Sequence, residues 1–291
     1  MVEFEVPEVD YTQYSNRQLI APPLAVLAVA LVVLAAWYAM TGSPVALGVD
    51  FTGGSEITVE TSLSQDEVEQ SFDDEVVSVQ GVQGGEGSGQ QYVVTFGDDS
   101  NITQITNTAE ANGQMEVLRS GSTSPVFGGE NQRLAIYGIG VAFLGMSLLA
   151  FALFRTFVPS IAIVISAFSD IVIPIAIMNL VGIRLSLGTV AALLMLIGYS
   201  VDSDILLNNH VLRRSGGFYE STYRAMRTGV TMTLTSIAAM AVMAVSATLF
   251  GIELMASIGL VLVLGLTADL MNTYMLNVTL LRWYKYEGVK R

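Results

Sequence analysis

Four aspartates lie inside the most apolar stretches of the chain, where a carboxylate is least expected: Asp170, Asp202, Asp204 and Asp269. An ionised carboxylate near the centre of a bilayer costs about 2.5–3.5 kcal/mol, so its presence in a membrane helix points to a function. The sequence places no Lys or Arg deep within these stretches to pair with them. We therefore expect the carboxyl groups to exchange protons, and we treat all four as candidates for a proton relay.

Hydroxyl and amide side chains near these aspartates can bind a protonated carboxyl or hold a chain of water molecules. Asp202 and Asp204 stand two positions apart, about 200° around a helix axis, so they cannot face the same neighbour. One should face the interior of a helix bundle, and the other the cytosolic side or another subunit. A structural role, in hydrogen bonds between helices or at helix ends, is the alternative. The supporting polar residues that we select are Ser200, Thr231, Thr235 and Asn272.

Six apolar stretches are long enough to cross about 30 Å of hydrocarbon, which needs about 20 helical residues. The first follows an acidic segment and is longer than the core of a signal peptide, so we predict an uncleaved span. The chain is therefore predicted to be an α-helical polytopic membrane protein. The six predicted transmembrane helices cover residues 19–40, 134–154, 157–181, 185–207, 229–249 and 254–281.

The composition agrees with a membrane protein. Of the 291 residues, 52% are hydrophobic and 13% are charged, whereas soluble domains carry about 25% charged residues. The absence of cysteine excludes a disulfide framework and thiolate metal sites, and the single histidine argues against imidazole-based ones. We expect no cofactor, no metal ion, no nucleic acid partner and no enzymatic activity.

The net charge of −13 is concentrated between the first two spans. Residues 42–132 hold 15 of the 26 acidic residues and one base, Arg119. Ten of the 13 bases fall on one side if the spans alternate. This predicts a cytoplasmic N-terminal segment (1–18) and tail (285–291), with an extracytoplasmic domain at 41–133. An acidic, lysine-poor surface is typical of proteins that work in high salt, so we expect a halophilic source.

Residues 41–133 show a pattern of short strands and helices. Alternating apolar and polar residues predict strands, and a capping box of Ser64 and Glu67 predicts the start of a helix. The order β-α-β-β-α-β, with a Gly-rich turn at 84–89, is that of a ferredoxin-like split unit. We therefore expect an α+β ferredoxin-like extracytoplasmic domain between helices 1 and 2. The predicted strands are 55–61, 76–82, 92–96 and 114–120, and the predicted helices are 64–72 and 102–112.

Three motifs resemble those of the SecF family, in the same order along the chain. They are GVDFTGG at Gly48–Gly54, SPVFGGE at Ser124–Glu130 and GYSVDSD at Gly198–Asp204. SecF is the smaller partner of SecD in the accessory complex of the protein-export translocon, within the resistance–nodulation–division superfamily. The resemblance implies help to translocating polypeptides, powered in bacteria by proton or sodium flow. It implies four partners: a SecD-like subunit, the Sec translocon, exported polypeptides and membrane lipid.

Two departures from the bacterial pattern concern the implied ion path. Bacterial relatives read Gly-Tyr-Ser-x-Asn-Asp in the fourth span, whereas here the acids are Asp202 and Asp204, with Ser203 between them. Bacterial relatives also tend to carry an Arg near the start of the fifth span, where this chain has Thr231. Asp269 is the candidate substitute. We expect reversible protonation of Asp202, Asp204 or Asp269 to bias the packing of the spans and move the outer domain.

The signature turn that joins the first span to the outer domain consists of Asp50, Phe51, Thr52, Gly53 and Gly54. Its two glycines permit positive φ angles and a close approach of backbones. Asp50 is expected to cap the turn. The turn is interpreted either as an element that couples span movement to the domain or as a rigid connector.

Two other functions stay open on the sequence alone. A stand-alone proton-coupled transporter of a small molecule or lipid, from the same superfamily, would need a substrate cavity and no partner. A non-transporting translocon assembly factor would use its aspartates structurally, so Asp-to-Asn changes would be silent.

Overall fold

The computed structural model describes residues 9–72, 76–82, 90–97, 99–213 and 216–288. Within them, six long helices have the length and hydropathy to cross a membrane, as predicted. The sixth is continuous from α9 through a π-helical turn at Asn272–Asn277 into α10. The helices are α1 (Asn16–Thr41), α2 (Val49–Thr52), α3 (Gln65–Gln70), α4 (Ile102–Ala111), α5 (Pro125–Phe154), α6 (Phe157–Val181), α7 (Leu187–Arg213), α8 (Phe218–Leu249), α9 (Glu253–Met271) and α10 (Val278–Trp283).

The helix ends follow from local sequence. Ser15 and Gln18 form a capping box at the start of α1, and Gly42, with φ of 77°, ends that helix. Helix α5 begins earlier than the apolar stretch predicts, because Pro125 occupies the first turn, where its missing N–H costs nothing. Helix α8 likewise begins before its apolar stretch, at Phe218.

Helices α6, α7 and α9 form the inner part of the bundle. In the most apolar 18-residue stretch, 67% of the residues of α6 and 56% of those of α7 are buried, against 11% for α8. The apolar core includes Ile163 of α6, Leu196 of α7 and Leu266 of α9. Gly265 lies directly against Leu196, and the lack of a side chain there lets α9 approach α7 closely.

Between α1 and α5 lies a four-stranded sheet with the strand order β2-β3-β1-β4, in which every pair is antiparallel. Ile57, Val94 and Phe96 pack on one face with Ile105 of α4. Each predicted strand and helix of this region has a counterpart, whereas the predicted turn at 84–89 lies outside the described residues. The strands are β1 (Gly54–Thr61), β2 (Val76–Val82), β3 (Gln90–Phe96) and β4 (Met115–Thr123).

Candidate aspartate cluster and domain junction

Three of the four predicted aspartates meet in the interior of the bundle. Asp170 comes from the middle of α6, Asp204 from α7 and Asp269 from the last turn of α9. Their side chains are at most 1% exposed. The hydrogen bonds described to these carboxylates all come from neutral hydroxyl or amide groups.

Asp170 joins α6 to both of the other inner helices. The Ser200 hydroxyl of α7 donates to Oδ2 of Asp170 at 2.5 Å. The Asn272 amide, at the start of the π-helical turn, donates to Oδ1 at 2.6 Å. Both residues were predicted as supporting polar groups, and the structure brings both to the cluster.

Asp204 and Asp269 are connected by two hydroxyls. Thr273 Oγ1 lies 2.9 Å from Oδ1 of Asp204 and 3.2 Å from Oδ1 of Asp269. Ser203 Oγ lies 2.8 Å from the same oxygen of Asp269 and 3.3 Å from Thr273 Oγ1. A hydroxyl has one proton to donate and can also accept a hydrogen bond, so Thr273 donates to one carboxylate at a time. The arrangement forms a continuous path for a proton between the two acids.

The π-helical turn presents the polar groups to the acids. Asn272, Thr273 and Asn277 all lie in it, and the Asn277 amide donates to Oδ1 of Asp204 at 2.8 Å. Turns of this kind are rare and occur frequently at functional sites. Thr273 and Asn277 belong to the polar residues that surround Asp269 in the sequence, but neither they nor Ser203 were among the predicted supporting groups. The available signal was the run of polar residues inside an otherwise apolar span.

Several buried polar atoms of the cluster have no hydrogen-bond partner. Among the described residues these are three acceptors, Asp204 Oδ2 and the amide oxygens of Asn272 and Asn277, and the hydroxyls of Ser166 and Ser169, which can donate or accept. A buried acceptor without a donor is costly. Protons on the carboxyl groups would supply the missing donors. In the described part of the chain, no group of three or more His, Asp or Glu side chains is placed to hold a metal ion.

The other predicted site residues lie apart from the cluster. Asp202 is exposed on α7 while Asp204 is buried, as their spacing predicts, so Asp202 does not join the three acids. Thr231 and Thr235 are exposed on α8, where their hydroxyls donate to carbonyls of their own helix at 2.8 and 2.7 Å. Their selection as supporting groups needs correction, because α8 turns this face away from the acids.

The signature turn packs against the start of α5. Gly53 and Gly54 adopt φ angles of 78° and 112°, which confirms the expected need for glycine. A Cβ on Gly53 would lie 2.7 Å from Cα of Pro125, and one on Gly128 would lie 2.8 Å from N of Gly53. The first two sequence motifs therefore form one close backbone contact.

Asp50 caps a different element from the one predicted. Its Oδ2 accepts the Leu187 N–H at 3.0 Å, at the start of α7, rather than closing its own turn. Its backbone carbonyl accepts a hydrogen bond from the side-chain amide of Asn131 on α5 at 3.1 Å. A carboxylate at a helix N-terminus is favourable. Asp50 therefore ties the signature turn to the two helices α5 and α7.

The loop between α6 and α7 connects the bundle to the sheet. Arg184 donates to Thr95 Oγ1 of β3 at 2.9 Å and to Ser78 Oγ of β2. Glu56 of β1 lies close enough to interact: burial raises the pKa of Glu56, and the Arg184 charge partly offsets that shift. In the same loop, Leu185 exchanges backbone hydrogen bonds with the segment that precedes the signature turn. The helices that carry Asp170 and Asp204 are thus joined directly to the outer sheet.

Two family models match the chain. "Protein export membrane protein SecD/SecF, C-terminal" covers residues 103–287, and "SecD/SecF GG Motif" covers 38–62. The chain belongs to the SecF family. It is 67% identical to the protein-export membrane protein SecF of Haloferax volcanii and 63% identical to that of Haloquadratum walsbyi, with 100% of each chain covered in both cases. It is therefore an accessory subunit of the Sec protein-export machinery and a multi-pass membrane protein, and these relatives come from halophilic archaea.

Solved SecDF structures share the fold. The crystal structure of SecDF from Thermus thermophilus, described as a translocon-associated membrane protein, aligns with a TM-score of 0.76 at 20% identity. The alignment covers 96% of this chain but 39% of that one. A super-membrane-facing form of SecDF aligns with a TM-score of 0.64 at 19% identity, and the alignment covers 100% of this chain and 40% of that one. The chain thus spans about two fifths of the SecDF proteins that it matches.

Proposed function

We propose that this SecF-family subunit acts with a SecD-type partner at the translocon and uses reversible protonation of Asp170, Asp204 and Asp269 to move its outer domain. One observation carries the proposal: two of the three buried acids, Asp204 and Asp269, are linked by the hydroxyl of Thr273, which can both donate and accept a hydrogen bond. Asp170 lies in the same cluster and is bonded to Ser200 and Asn272. Asp202 is not part of this relay.

The movement follows from the change in hydrogen bonding. When Asp204 is ionised, Thr273 donates to it and holds the π-helical turn against α7. When Asp204 is protonated, the carboxyl becomes a donor and Thr273 is released to Asp269. The contact between α7 and the sixth span is remade, and Arg184, on the loop between α6 and α7, passes the displacement to the sheet.

We assign both termini to the cytoplasm and the domain at 41–133 to the outer side. The distribution of basic residues supports this orientation. We also classify the domain as ferredoxin-like, and its antiparallel strand order β2-β3-β1-β4 supports that classification. On the outer side the domain would meet exported polypeptides. The apolar side chains that α1, α5 and α8 leave exposed would contact membrane lipid or the SecD-type subunit.

The relay is tested by comparing Asp204→Asn with Asp202→Asn. The two positions lie on the same helix and receive the same isosteric change, but only the first is in the cluster. We expect Asp204→Asn to reduce export of a secreted reporter strongly, in cells that lack their own subunit, and Asp202→Asn to leave export near normal. Equal amounts of each variant in the membrane, measured by immunoblot, exclude a folding defect. Normal export by Asp204→Asn would discard the relay and favour a non-transporting assembly role.

Partnership is tested separately, because a subunit can assemble without a working relay. The tagged protein is purified from native membranes in mild detergent and its companions are identified by mass spectrometry. We expect a SecD-like protein to be recovered with both variants. Recovery of the chain alone, under conditions that preserve a control complex, would instead favour a stand-alone transporter.

A further inference from the structure

A tyrosine ahead of the first membrane helix contacts the π-helical turn. Tyr11 begins the 3-10 turn Tyr11–Gln13, and its ring is 5% exposed among apolar side chains of α7, α8 and the sixth span. Its hydroxyl donates to the backbone carbonyl of Tyr274 at 3.0 Å. The contact joins positions 263 residues apart in sequence.

The carbonyl that Tyr11 binds is one that an α-helix would use internally. In an α-helix the Val278 N–H would donate to the carbonyl of Tyr274. Here it donates to the carbonyls of Thr273 and Met275 instead. The Tyr11 hydroxyl therefore binds a carbonyl that the Val278 N–H does not use in the π-helical geometry.

Arg282 fixes Tyr11 in this position. Its guanidinium donates to the carbonyl oxygens of Tyr11 and Tyr14 at 2.9 and 3.0 Å, and to the Asn16 side chain. Arg282 lies in α10, directly after the turn, so the N-terminal segment is bound to the same span at two places. This clamp holds the ring where its hydroxyl reaches Tyr274.

We propose that Tyr11 is a positioning residue that stabilises the π-helical turn and thereby keeps the Asn277 amide on Asp204. If the π-helical turn became α-helical, the register of the helix would shift by one residue. The residues after the turn would then rotate by about 100° relative to those before it. Asn277, at the end of the turn, would leave Asp204. Asn272, at its start, would stay on Asp170. The consequence for export rests on the proposed relay; the effect on the turn does not.

The Tyr11 hydroxyl can donate this hydrogen bond at any pH near neutrality. Burial raises the pKa of Tyr11 to about 12, so its hydroxyl keeps its proton throughout that range.

The test uses Tyr11→Phe, which removes the hydroxyl and keeps the ring, with Tyr14→Phe as the control. Tyr14 is 47% exposed, three positions away. The full-length variants in lipid nanodiscs are treated with dicyclohexylcarbodiimide, and modification of each aspartate is quantified by mass spectrometry. In Tyr11→Phe we expect the modification rate of Asp204 to rise about fivefold, as expected for loss of one hydrogen bond, with that of Asp170 unchanged. Asn277→Ala should reproduce this selective change.

Two outcomes would overturn the inference. One is equal modification of Asp204 in Tyr11→Phe and Tyr14→Phe. The other is a rise of the same size at Asp204 and Asp170, which would indicate general loosening instead of a local change in the turn. Export assays separate this inference from the relay: a selective rise at Asp204 with normal export would support the positioning role and count against the relay.

Discussion

The aspartate cluster and the junction under the outer sheet both join distant parts of the chain through polar side chains, buried in the first and partly exposed in the second, but their chemistry differs. In the cluster, Asp204 and Asp269 receive hydrogen bonds from neutral groups such as Thr273. At the junction, the permanently charged guanidinium of Arg184 donates to neutral acceptors such as Thr95. Protonation can rearrange the contacts of the first region and leaves those of the second intact. The cluster is therefore suited to change state, and the junction to transmit the change.

The two regions are joined by continuous helices. Asp204 lies about 25 Å along α7 from its first residue, Leu187. That first turn is fixed to the signature turn by Asp50. A displacement of α7 at the cluster therefore reaches the base of the outer domain without passing through a flexible segment.

The largest effect is expected from removing the shared hydroxyl. Thr273→Val keeps the side-chain shape but leaves Asp204 and Asp269 without their common donor. Hydrogen bonds to charged groups contribute about 1.5–3 kcal/mol each, so we expect at least a roughly tenfold fall in reporter export rate. Thr267→Val is the matched control, because that hydroxyl is exposed on α9 and donates to Val263 of its own helix at 2.7 Å. If both variants export equally, Thr273 is not part of the relay.

Weakening the junction should have a smaller effect. Arg184→Gln keeps a polar group but removes the fork that reaches β2 and β3, and we expect export to fall about threefold, since partly exposed charged contacts contribute less. Protease sensitivity of the outer domain should rise in parallel. Arg133→Gln removes a charge from the exposed surface of α5 and should change neither measurement. An unaltered protease pattern in Arg184→Gln would show that the junction is held by the signature turn alone.

The sequence contained much of the candidate site. The cost of burying a carboxylate selected Asp170, Asp204 and Asp269, which meet in the structure, but also Asp202, which is exposed. Helical periodicity predicted that Asp202 and Asp204 would face different ways. Thr273 stands four positions after Asp269, the spacing of neighbours on one helix face, but the sequence does not show that the same hydroxyl also reaches Asp204 on α7.

Long-range contacts also could not be predicted from the sequence. The spans and strands follow from local periodicity, whereas the cap that Asp50 supplies to Leu187 joins residues 137 positions apart. Thr231 and Thr235 show the opposite error. Their hydroxyls suggested a polar lining, but hydroxyls on a helix can also bond to the preceding turn, as these do.

The contribution of the close contact at Gly53 to stability can be measured by comparing alanine substitutions at Gly53 and Gly42. Gly53→Ala places a side chain at φ of 78° and against Pro125, whereas Gly42→Ala meets nothing within 4 Å at a similar φ of 77°. Strain in such backbone regions costs about 1–3 kcal/mol. We expect both changes to lower the midpoint of thermal unfolding in detergent, and Gly53→Ala to lower it further. Equal midpoints would mean that the close contact with α5 adds nothing.

The smallest effect concerns Glu56, the acid beside Arg184. Burial raises the pKa of Glu56, with Arg184 and Arg119 opposing that shift. A raised native pKa means that folding favours the protonated form, so Glu56 destabilises the domain above its native pKa and ceases to do so below the ordinary value of about 4.3. Glu56→Gln should therefore raise the unfolding midpoint slightly at pH 7, with the gain disappearing as the pH falls below about 4. Glu110→Gln, on the exposed surface of α4, removes the same charge and should give no comparable gain. A loss of stability in Glu56→Gln at pH 7 would mean that attraction to Arg184 outweighs burial, and the junction would then hold a stabilising ion pair.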